Sequence, residues 1–374
     1  MRFGIIFLAM ILLFLAGCVG NEPHYVGAFI EPTPSPTPNP WVTPPPTVAP
    51  HEDYEEEDYE EICLLPRSQL TGLLIAEAYA NRRPIAVVIN NLHGALPQSG
   101  IASADIIYEV LVEGDVTRLV AVFQSEWPEK IGPVRSARDY LVDFALNHDG
   151  VFIHHGESPN SHLRWPFLNG ARIDGGRWET RGFWRDRNYP EWARNSGRRA
   201  LEHSSYTGGG HIANILESQS IRHYTQDAGG FTFCEDIQEG YAGEALRFTV
   251  PFSTHYARTF IFDPETGHYA VAYRHGPTMD EYTAQPVFVR NILVKMTQVR
   301  VIANDRAGRR TVATVGEGDG YLFNGGTYRP VRWATQSHTA PLRWYNPDGT
   351  PLVLLPGPTW INVLQNTATV RIDT

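Results

Sequence analysis

Cysteine is scarce in this chain, and the spacing of the few that occur excludes several classes of protein. Of the 374 residues only 3 are cysteine, namely Cys18, Cys63 and Cys234. They form neither a CxxC pair nor a cluster with histidine at metal-ligand spacing. The sequence therefore predicts no metal site and no cofactor.

Positive charge and catalytic signatures are sparse as well. The chain has 31 Lys and Arg residues against 41 Asp and Glu residues, for a formal net charge of -10. This charge argues against a nucleic-acid partner, because proteins bind nucleic acid largely by neutralising its phosphates with basic side chains. Neither HExxH nor GxSxG occurs, so two common hydrolase signatures are absent. The apolar content of 42% and the length are enough for two domains with cores of their own.

The amino terminus predicts export and lipidation. Arg2 precedes a nearly unbroken apolar stretch that ends at Ala16, which is typical of a signal peptide and shorter than the roughly 20 residues of a membrane-spanning helix. The stretch closes with Leu-Ala-Gly-Cys, which resembles the lipobox of bacterial lipoproteins, in which the cysteine is acylated and becomes the first mature residue. We therefore predict removal of residues 1–17 and lipidation of Cys18, with an uncleaved anchor or an ordinary secretory signal as the alternatives. The remaining thiols, Cys63 and Cys234, either form a disulfide or stay unpaired.

Residues 18–81 are predicted to be a disordered tether. Residues 31–50 are rich in Pro and Thr and should be extended and semi-rigid. Residues 51–61 (HEDYEEEDYEE) add like charges that repel each other and stay solvated. A spacer that holds the body away from a bilayer is the main interpretation, and an acidic segment that binds a basic partner or a cation is the alternative.

The rest of the chain predicts an α/β (α+β) domain with a mixed sheet over residues 82–235. Residues 84–90 are an apolar β-branched run typical of a buried strand. A hairpin at 105–125, a helix near 139–147 and a strand at 151–153 follow, whereas 157–199 carry little periodicity. Helical character returns over 198–219, where Gly208, Gly209 and Gly210 are expected to break it.

A smaller β-rich domain is predicted over residues 236–374. Residues 258–263 and 268–274 flank a Pro-Glu-Thr-Gly turn and predict a hairpin. Turns rich in Gly and Asn recur at 316–320, 324–326 and 346–349, as a small sheet or barrel needs.

Several motifs together resemble one family, the YerB-like bacterial lipoproteins with their two domains of unknown function (DUF3048). The resemblance covers nearly all of the chain after residue 82. It implies lipid anchoring in the cell envelope, an α/β first domain and a β-rich second domain, and it implies no reaction. The motifs are RPIAVVINN (83–91), PQSG (97–100), ADIIYE (104–109), VEG (112–114) with Thr117-Arg118, IGPVRSAR (131–138), RHGP (274–277) with Asp280, NILV (291–294), GEG (316–318) and PGPTWI (356–361).

The segment 132–138 carries the clearest candidate for a ligand site. Arg135 and Arg138 flank Ser136 at a predicted loop-to-helix junction, where free backbone N–H groups favour an anion. Arginine forks suit a carboxylate or a phosphate, so we predict an anion or glycan-carboxylate site that includes these residues together with Arg118 and His155. The alternative is that the arginines pair internally with three acids of the predicted hairpin: Glu109, Glu113 and Asp115.

Titratable residues at the end of the strand at 151–153 are the candidates for catalysis. His155 with Glu113 or Glu157 could transfer protons on a glycan substrate. The alternatives are a core histidine that only hydrogen-bonds and a metal site on His154, His155 and Glu157, which no known ligand spacing supports.

The irregular segment 157–199 interleaves tryptophan with arginine. Both residue types are common anchors in sugar-binding and protein-binding surfaces, and both can equally pin a loop to a core. The residues concerned are Trp165, Trp178, Trp184 and Trp192 with Arg177, Arg181, Arg185 and Arg187.

Taken together, the sequence predicts a protein that is lipid-anchored on the extracytoplasmic face of the cell membrane. We expect a non-enzymatic binding or scaffolding module with an anion-binding or glycan-binding cleft in the first domain. The alternative is an envelope enzyme of hydrolase or transferase type that acts on cell-wall or surface glycans. Expected partners are the membrane, through the lipid, and a cell-wall glycan, an anionic ligand or another envelope protein, with no nucleic acid.

Overall fold

The computed structural model describes residues 65–193, 197–235, 241–274 and 276–373. The predicted signal peptide, the lipidation site Cys18, most of the tether and Cys63 lie outside the described residues, so lipidation and the disulfide stay predictions. Within the described ranges, no helix has the length and apolarity to cross a membrane.

Strands dominate the described part, with few and short helices. The helices are α1 (Glu77–Ala80), α2 (Asp139–Leu146), α3 (Gly175–Trp178) and α4 (Gly209–Ser218), and 3-10 turns span His93–Ala95, Ile101–Ser103, Glu113–Asp115, Pro159–Leu168 and Leu201–His203. The strands are β1 (Ile85–Asn90), β2 (Ile106–Leu111), β3 (Thr117–Phe123), β4 (Val151–His154), β5 (Arg172–Asp174), β6 (Trp184–Arg185), β7 (Ser205–Tyr206), β8 (Thr232–Phe233), β9 (Gly243–Glu244), β10 (Arg247–Pro251), β11 (Ala257–Asp263), β12 (His268–Tyr273), β13 (Gly276–Pro277), β14 (Phe288–Val289), β15 (Asn291–Thr297), β16 (Val299–Val301), β17 (Arg310–Val312), β18 (Gly316–Asn324), β19 (Thr327–Thr335), β20 (Arg343–Tyr345), β21 (Val353–Leu354), β22 (Thr359–Gln365) and β23 (Arg371–Asp373).

One large mixed sheet contains strands from both halves of the chain. Its order is β20-β19-β18-β15-β22-β2-β3-β1-β4-β5, and β9 pairs with β19 to make 11 strands. Strand β22, near the carboxyl end, lies between β15 and β2 and runs parallel to both. The fold class is as predicted, a mixed sheet followed by a β-rich second half, but the sequence did not indicate that the two halves share this sheet.

A second sheet of 6 strands has the order β13-β12-β11-β10-β23, with β14 paired to β12. Strands β11 and β12 form the hairpin predicted around the Pro-Glu-Thr-Gly turn, with Asp263 opposite His268. Three further pairs complete the strands: β16 with β17, β21 with β8, and β6 with β7.

Apolar cores lie on both faces of the large sheet, as the unbroken apolar run of β1 requires. Ile85, Val87 and Ile89 pack into one cluster, whereas Ala86 and Val88 pack into the other. Because successive side chains of a strand point to opposite faces, a strand covered on both sides is apolar at every position. Burying each large side chain contributes about 1.5 to 3 kcal/mol, so this strand is a main source of stability.

The folded part begins earlier than residue 82, where the predicted tether ends. Leu70 is fully buried in the core cluster that contains Ala86, and α1 lies at Glu77–Ala80. The apolar residues of this short stretch have no strand or helix periodicity, which is why the sequence grouped them with the tether.

The glycine triplet at 208–210 begins a helix and does not break one. Helix α4 spans Gly209–Ser218, whereas residues 201–206 form a 3-10 turn and the short strand β7. Gly208 and Gly209 lie against the carbonyl groups of Glu129 and Trp127, where a Cβ would come within 2.0 and 2.5 Å of oxygen. Close backbone packing therefore explains these glycines.

A buried ion pair joins the two sheets. Glu109 of β2 is fully buried, and Arg258 of β11 donates to both of its carboxylate oxygens, at 2.9 and 3.0 Å. Trp360 of β22 donates its indole N–H to the same carboxylate at 3.1 Å, and the Thr117 hydroxyl donates at 2.7 Å. One carboxylate thus connects β2, β3, β11 and β22.

Replacing Arg258 by Met should destabilise the chain strongly, because Glu109 would be left as a buried charge without its cation. We expect a loss of about 3 to 5 kcal/mol in the free energy of unfolding, measured by chemical denaturation. Asp373→Asn is the control, since the Arg247–Asp373 pair is about half exposed on both sides and should change stability by about 0 to 1 kcal/mol. Equal effects of the two substitutions would contradict this role of Arg258.

Candidate functional site

Two of the arginines predicted to bind an anion are paired inside the protein. Glu113, in the turn between β2 and β3, accepts from Nε of Arg138 at 2.9 Å and also contacts Nη2 of that residue. Arg118 reaches the same carboxylate at 3.5 Å and donates to the carbonyl of Ser136 at 2.6 Å. This arrangement supports internal pairing for Arg118 and Arg138, with Glu113 as the partner and not Glu109.

The electrostatics of this group fit a structural network. Burial alone would raise the pKa of Glu113, but the hydrogen bond and charge of Arg138, with the charge of Arg118, bring it down to about 2. Burial and the neighbouring Arg138 lower the pKa of Arg118 to about 9. Glu113 therefore remains ionised at neutral pH and is a poor proton donor.

Arg135 and Ser136 lie beside the end of β4 and bind mostly to backbone. Arg135 donates from Nη1 to the carbonyl of Glu202 at 2.6 Å. Ser136 donates its hydroxyl to the carbonyl of His155 at 3.2 Å, and the backbone N–H of His155 donates to the carbonyl of Arg135 at 3.1 Å. These contacts fasten the segment before α2 to β4, so Ser136 is not aimed at His155 as a nucleophile.

His155 is neutral and has both ring nitrogens engaged. Arg185 can only donate, so its contact at 3.1 Å makes Nε2 of His155 an acceptor, and Nδ1 donates to the hydroxyl of Ser205 at 2.7 Å. Burial and the charge of Arg185 lower the pKa of His155. Within the described ranges, no carboxylate hydrogen-bonds to this ring, so no acid-base pair forms around it.

His154 points to the other face of β4. Its ring stacks between Phe152 and Trp165, each 5.4 Å away, and Nδ1 donates to the carbonyl of Gly156 at 2.7 Å. Burial lowers its pKa to about 4.

His154, Glu157 and Asp174 each bring one potential ligand atom within 4.8 Å of the others. Spacing did not predict this group, because the residues come from the ends of the neighbouring strands β4 and β5. Glu157 already pairs with Arg172 at 3.1 Å, and Asp174 accepts from the N–H of Gly176 at 3.1 Å.

Beside this group lies a cavity of about 690 Å³ that we call the Arg–Trp cavity. It is formed by the irregular segment that follows β4, by β5 and α3, and by the end of α4. Its side chains carry an excess of positive charge. The side chains include Trp165, Arg172, Asp174, Arg177, Trp178 and Arg181.

Tryptophan rings hold two of the arginines in this cavity. The guanidinium of Arg172 lies 4.3 Å from the ring centre of Trp165, and that of Arg181 lies 5.1 Å from the ring centre of Trp178. A cation over an indole face is stabilised without losing its charge. The stacking therefore orients both guanidinium groups while their N–H edges stay able to donate.

Arg177 and Arg181 are the unpaired cations of the cavity. Both are exposed, and across the described ranges neither makes an ion pair or a side-chain hydrogen bond. Arg172 differs, because it pairs with Glu157. An anion that enters the cavity can therefore accept hydrogen bonds from the guanidinium groups of Arg177 and Arg181 without displacing a carboxylate of the protein.

The sequence located part of this cavity and missed the rest. Trp165, Trp178, Arg177 and Arg181 belong to the interleaved set of the sequence and line the cavity, whereas Trp184 stacks against Tyr206, with ring centres 6.4 Å apart. Arg172 and Asp174 carried no signal beyond the alternation of a short strand. The remaining members of the interleaved set lie elsewhere: Trp192 is 43% exposed, Arg185 pairs with Glu179, and Arg187 donates to the carbonyl of Arg199.

Comparisons with known proteins cover both halves of the chain. Residues 70–222 match the N-terminal domain of DUF3048, described as a protein of unknown function, and residues 248–361 match the DUF3048 C-terminal domain. "Putative lipoprotein YerB" of Bacillus subtilis (strain 168) is 32% identical over 308 residues, which are 80% of this chain and 86% of that protein. The crystal structure of YerB protein from Bacillus subtilis matches with a TM-score of 0.69 at 30% identity, over 83% of this chain and 100% of that chain.

Glu113→Gln should lower stability in a pH-dependent way. Because the pKa of Glu113 falls from 4.5 to about 2 on folding, its contribution is fully present above pH 4.5 and is lost as the pH falls toward 2. We expect the variant to lose about 1 to 3 kcal/mol at pH 7 and to converge with the wild type in acid, as followed by denaturant unfolding. Glu317→Gln, at a side chain that is 76% exposed, is the control and should change little at either pH. A constant difference between Glu113→Gln and the wild type across this range would show that the carboxylate is not held by the arginines.

Proposed function

Because this chain belongs to the DUF3048 family, as its YerB-like motifs predicted, we propose that it is a lipid-anchored envelope protein that binds an anionic ligand without catalysing a reaction. The family description assigns no activity to either domain. Two features of this chain support the proposal. One is the lipidation motif near its amino terminus, and the other is the Arg–Trp cavity in its folded part.

Anchoring is proposed at Cys18. The apolar segment before it ends in Leu-Ala-Gly, so small residues precede the cysteine, and a thiol can accept a thioether-linked lipid. The relative from Bacillus subtilis has the word lipoprotein in its name, which supports the same modification here. A signal peptide of this kind directs export, and the folded part would then lie on the extracytoplasmic face.

Binding is favoured over catalysis because the predicted proton-transfer residues are already engaged. Glu113 is held ionised by Arg138, Glu157 pairs with Arg172, and both nitrogens of His155 have partners. A general acid or base needs a pKa near the working pH and an open position at the reacting atom. None of the three meets both conditions in the described part of the chain.

The observation that carries the proposal is the pair of unpaired arginines in the Arg–Trp cavity. Arg177 and Arg181 present guanidinium groups with no carboxylate partner in the described ranges, beside a space of about 690 Å³. Cavities of about 300 to 1,000 Å³ are typical of sites for small ligands. An anionic group of a ligand would supply the negative charge that the cavity lacks.

Cys18→Ser should abolish lipidation, because the hydroxyl does not replace the thiol as the acceptor of a thioether-linked lipid. We expect complete loss of fatty-acid label from the chain in cells fed labelled palmitate, checked by gel fluorography and by mass spectrometry of the mature amino terminus. Cys234→Ser is the matched control and should keep the label. Label that persists on the Cys18→Ser chain would rule out this anchor.

Arg177→Ala and Arg181→Ala should each weaken binding of small anions. A hydrogen bond to a charged group contributes about 1.5 to 3 kcal/mol, so each substitution should raise Kd by roughly tenfold or more. Ligand-observed NMR on the full chain in detergent would measure glucuronate and glucose 6-phosphate, with glucose as the uncharged reference.

Arg300→Ala is the control for this experiment, since Arg300 is exposed on β16 and does not line the Arg–Trp cavity. It should leave the affinity for both anions unchanged. If neither anion binds the wild-type chain, or if Arg300→Ala weakens binding as much as Arg177→Ala does, the cavity is not the anion site.

A further inference from the structure

A second cavity of about 600 Å³ continues from the Arg–Trp cavity. Leu168, Gly170, Gln219 and Ile221 line both of them. These residues come from the end of the 3-10 helix Pro159–Leu168, from the turn before β5, and from the end of α4 with the turn after it. The two cavities therefore adjoin across a shared wall, and together we call them the groove.

The charged side chains that line the second cavity, unlike Arg177 and Arg181 in the first, have partners in the protein, and the largely exposed Asp227 pairs with Arg343 at 3.7 Å. Arg222 donates to both carboxylate oxygens of Asp149, at 2.6 and 2.8 Å, and Arg83 contacts the same carboxylate at 3.2 Å. The side chain of Thr225 and the backbone N–H of Gln226 also donate to Asp149. Both arginines that line this end of the groove in the described part of the chain, Arg83 and Arg222, are therefore paired.

Uncharged polar groups line part of the second cavity, beside apolar side chains such as Leu146, Phe167 and Pro341. Asn169, Ser220 and Gln226 line it, and within the described ranges their side chains make no hydrogen bond to protein. The amide of Gln219 donates only to the carbonyl of the preceding residue, at 3.4 Å. Exposed amide and hydroxyl groups can exchange their water for the hydroxyls of a ligand at little cost.

Gly170 lies in the wall that the two cavities share and leaves open space at that point. Gly170 has a φ of +81°, and a Cβ built there would meet nothing within 4 Å. Open space therefore lies above the backbone at the junction of the two cavities, and the left-handed conformation keeps a side chain from filling it.

From this geometry we infer that the ligand is a segment of an acidic polysaccharide, with an acidic sugar in the Arg–Trp cavity and neutral hydroxyl-bearing groups in the second cavity. The inference rests on the proposed function and names its ligand class. Two contiguous spaces of this size exceed what one small molecule fills, so a chain that spans both gains contacts that a single sugar lacks. The apolar side chains of the second cavity suit the carbon face of a sugar ring, and its amide and hydroxyl groups suit the hydroxyls. An acidic peptide is the alternative ligand that the experiment distinguishes.

The test is the dependence of affinity on chain length, measured by isothermal titration with the full chain in detergent. The probes are galacturonate with its dimer, trimer and hexamer, maltohexaose as the neutral chain, and hexaglutamate as the acidic peptide. We expect the galacturonate hexamer to bind roughly tenfold tighter than the monomer or better, and maltohexaose and hexaglutamate to bind at least tenfold more weakly than the hexamer.

Two variants separate the ends of the groove. Gln226→Trp places a bulky exposed side chain in the second cavity and should bring the affinity for the hexamer down to that for the monomer, with the monomer unaffected. Arg177→Ala should weaken every galacturonate length by a similar factor. Circular dichroism and thermal melting would verify that both variants fold as the wild type does.

Each outcome bears on a different claim. If the monomer and the hexamer bind equally, or Gln226→Trp leaves the gain with length intact, the polysaccharide inference falls while the anion site stands. If hexaglutamate matches the hexamer, the ligand is an acidic peptide and not a sugar. If no galacturonate binds and the small anions fail as well, the proposed function itself is overturned.

Discussion

A single carboxylate, that of Glu109, imposes the main constraint on this fold. A charge with no solvent exposure is destabilising unless a cation and hydrogen bonds surround it, and here those partners come from distant parts of the chain. Arg258 reaches it from the second sheet and Trp360 from β22, near the carboxyl end. The first half of the chain therefore cannot satisfy Glu109 alone, and its carboxylate lies where the strands of the two halves meet, at the pairing of β22 with β2.

Contacts between the two halves of the chain also position the groove. Asp143 of α2 is buried and accepts from Arg164 at 3.2 Å and from His338 at 2.9 Å. Arg164 belongs to the 3-10 helix Pro159–Leu168, whose last residue lies in the wall shared by the two cavities, and Thr339, next to His338, lines the second cavity. The contacts of Asp143 thus connect α2 and the second half of the chain to the wall of the groove. Most of the residues that line the groove belong to the first half. Loops that carry function are commonly held by such rigid supports.

Local sequence predicted elements well and long-range pairing poorly. Strand β1, the β2–β3 hairpin, helix α2 and the β11–β12 hairpin follow from runs of apolar residues and turn signals within short windows. The place of β22 between β15 and β2 depends on pairing across more than half of the chain, which no local pattern encodes. For Arg138 the sequence left two interpretations open, a ligand site and pairing with an acid of the hairpin, and the contact with Glu113, 25 positions away, supports the second. No sequence pattern marks Arg172 or Gly170 as a site residue, because only the folded chain forms the cavities that they line.

Which arginines are structural and which serve a ligand is decided by what holds each guanidinium. Arg138, Arg222 and Arg258 are held by carboxylates, which orient them and also neutralise them. Arg181 is oriented by an indole ring, which leaves its charge available. An anion site needs cations that are held in place and whose positive charge is not neutralised by a carboxylate of the protein. Stacking on tryptophan holds a guanidinium in place and leaves its charge unneutralised. Short elements supply these residues, since Trp165 lies in the 3-10 helix Pro159–Leu168, Arg172 in β5 and Trp178 in α3, and each tryptophan meets an arginine from a neighbouring stretch of the chain.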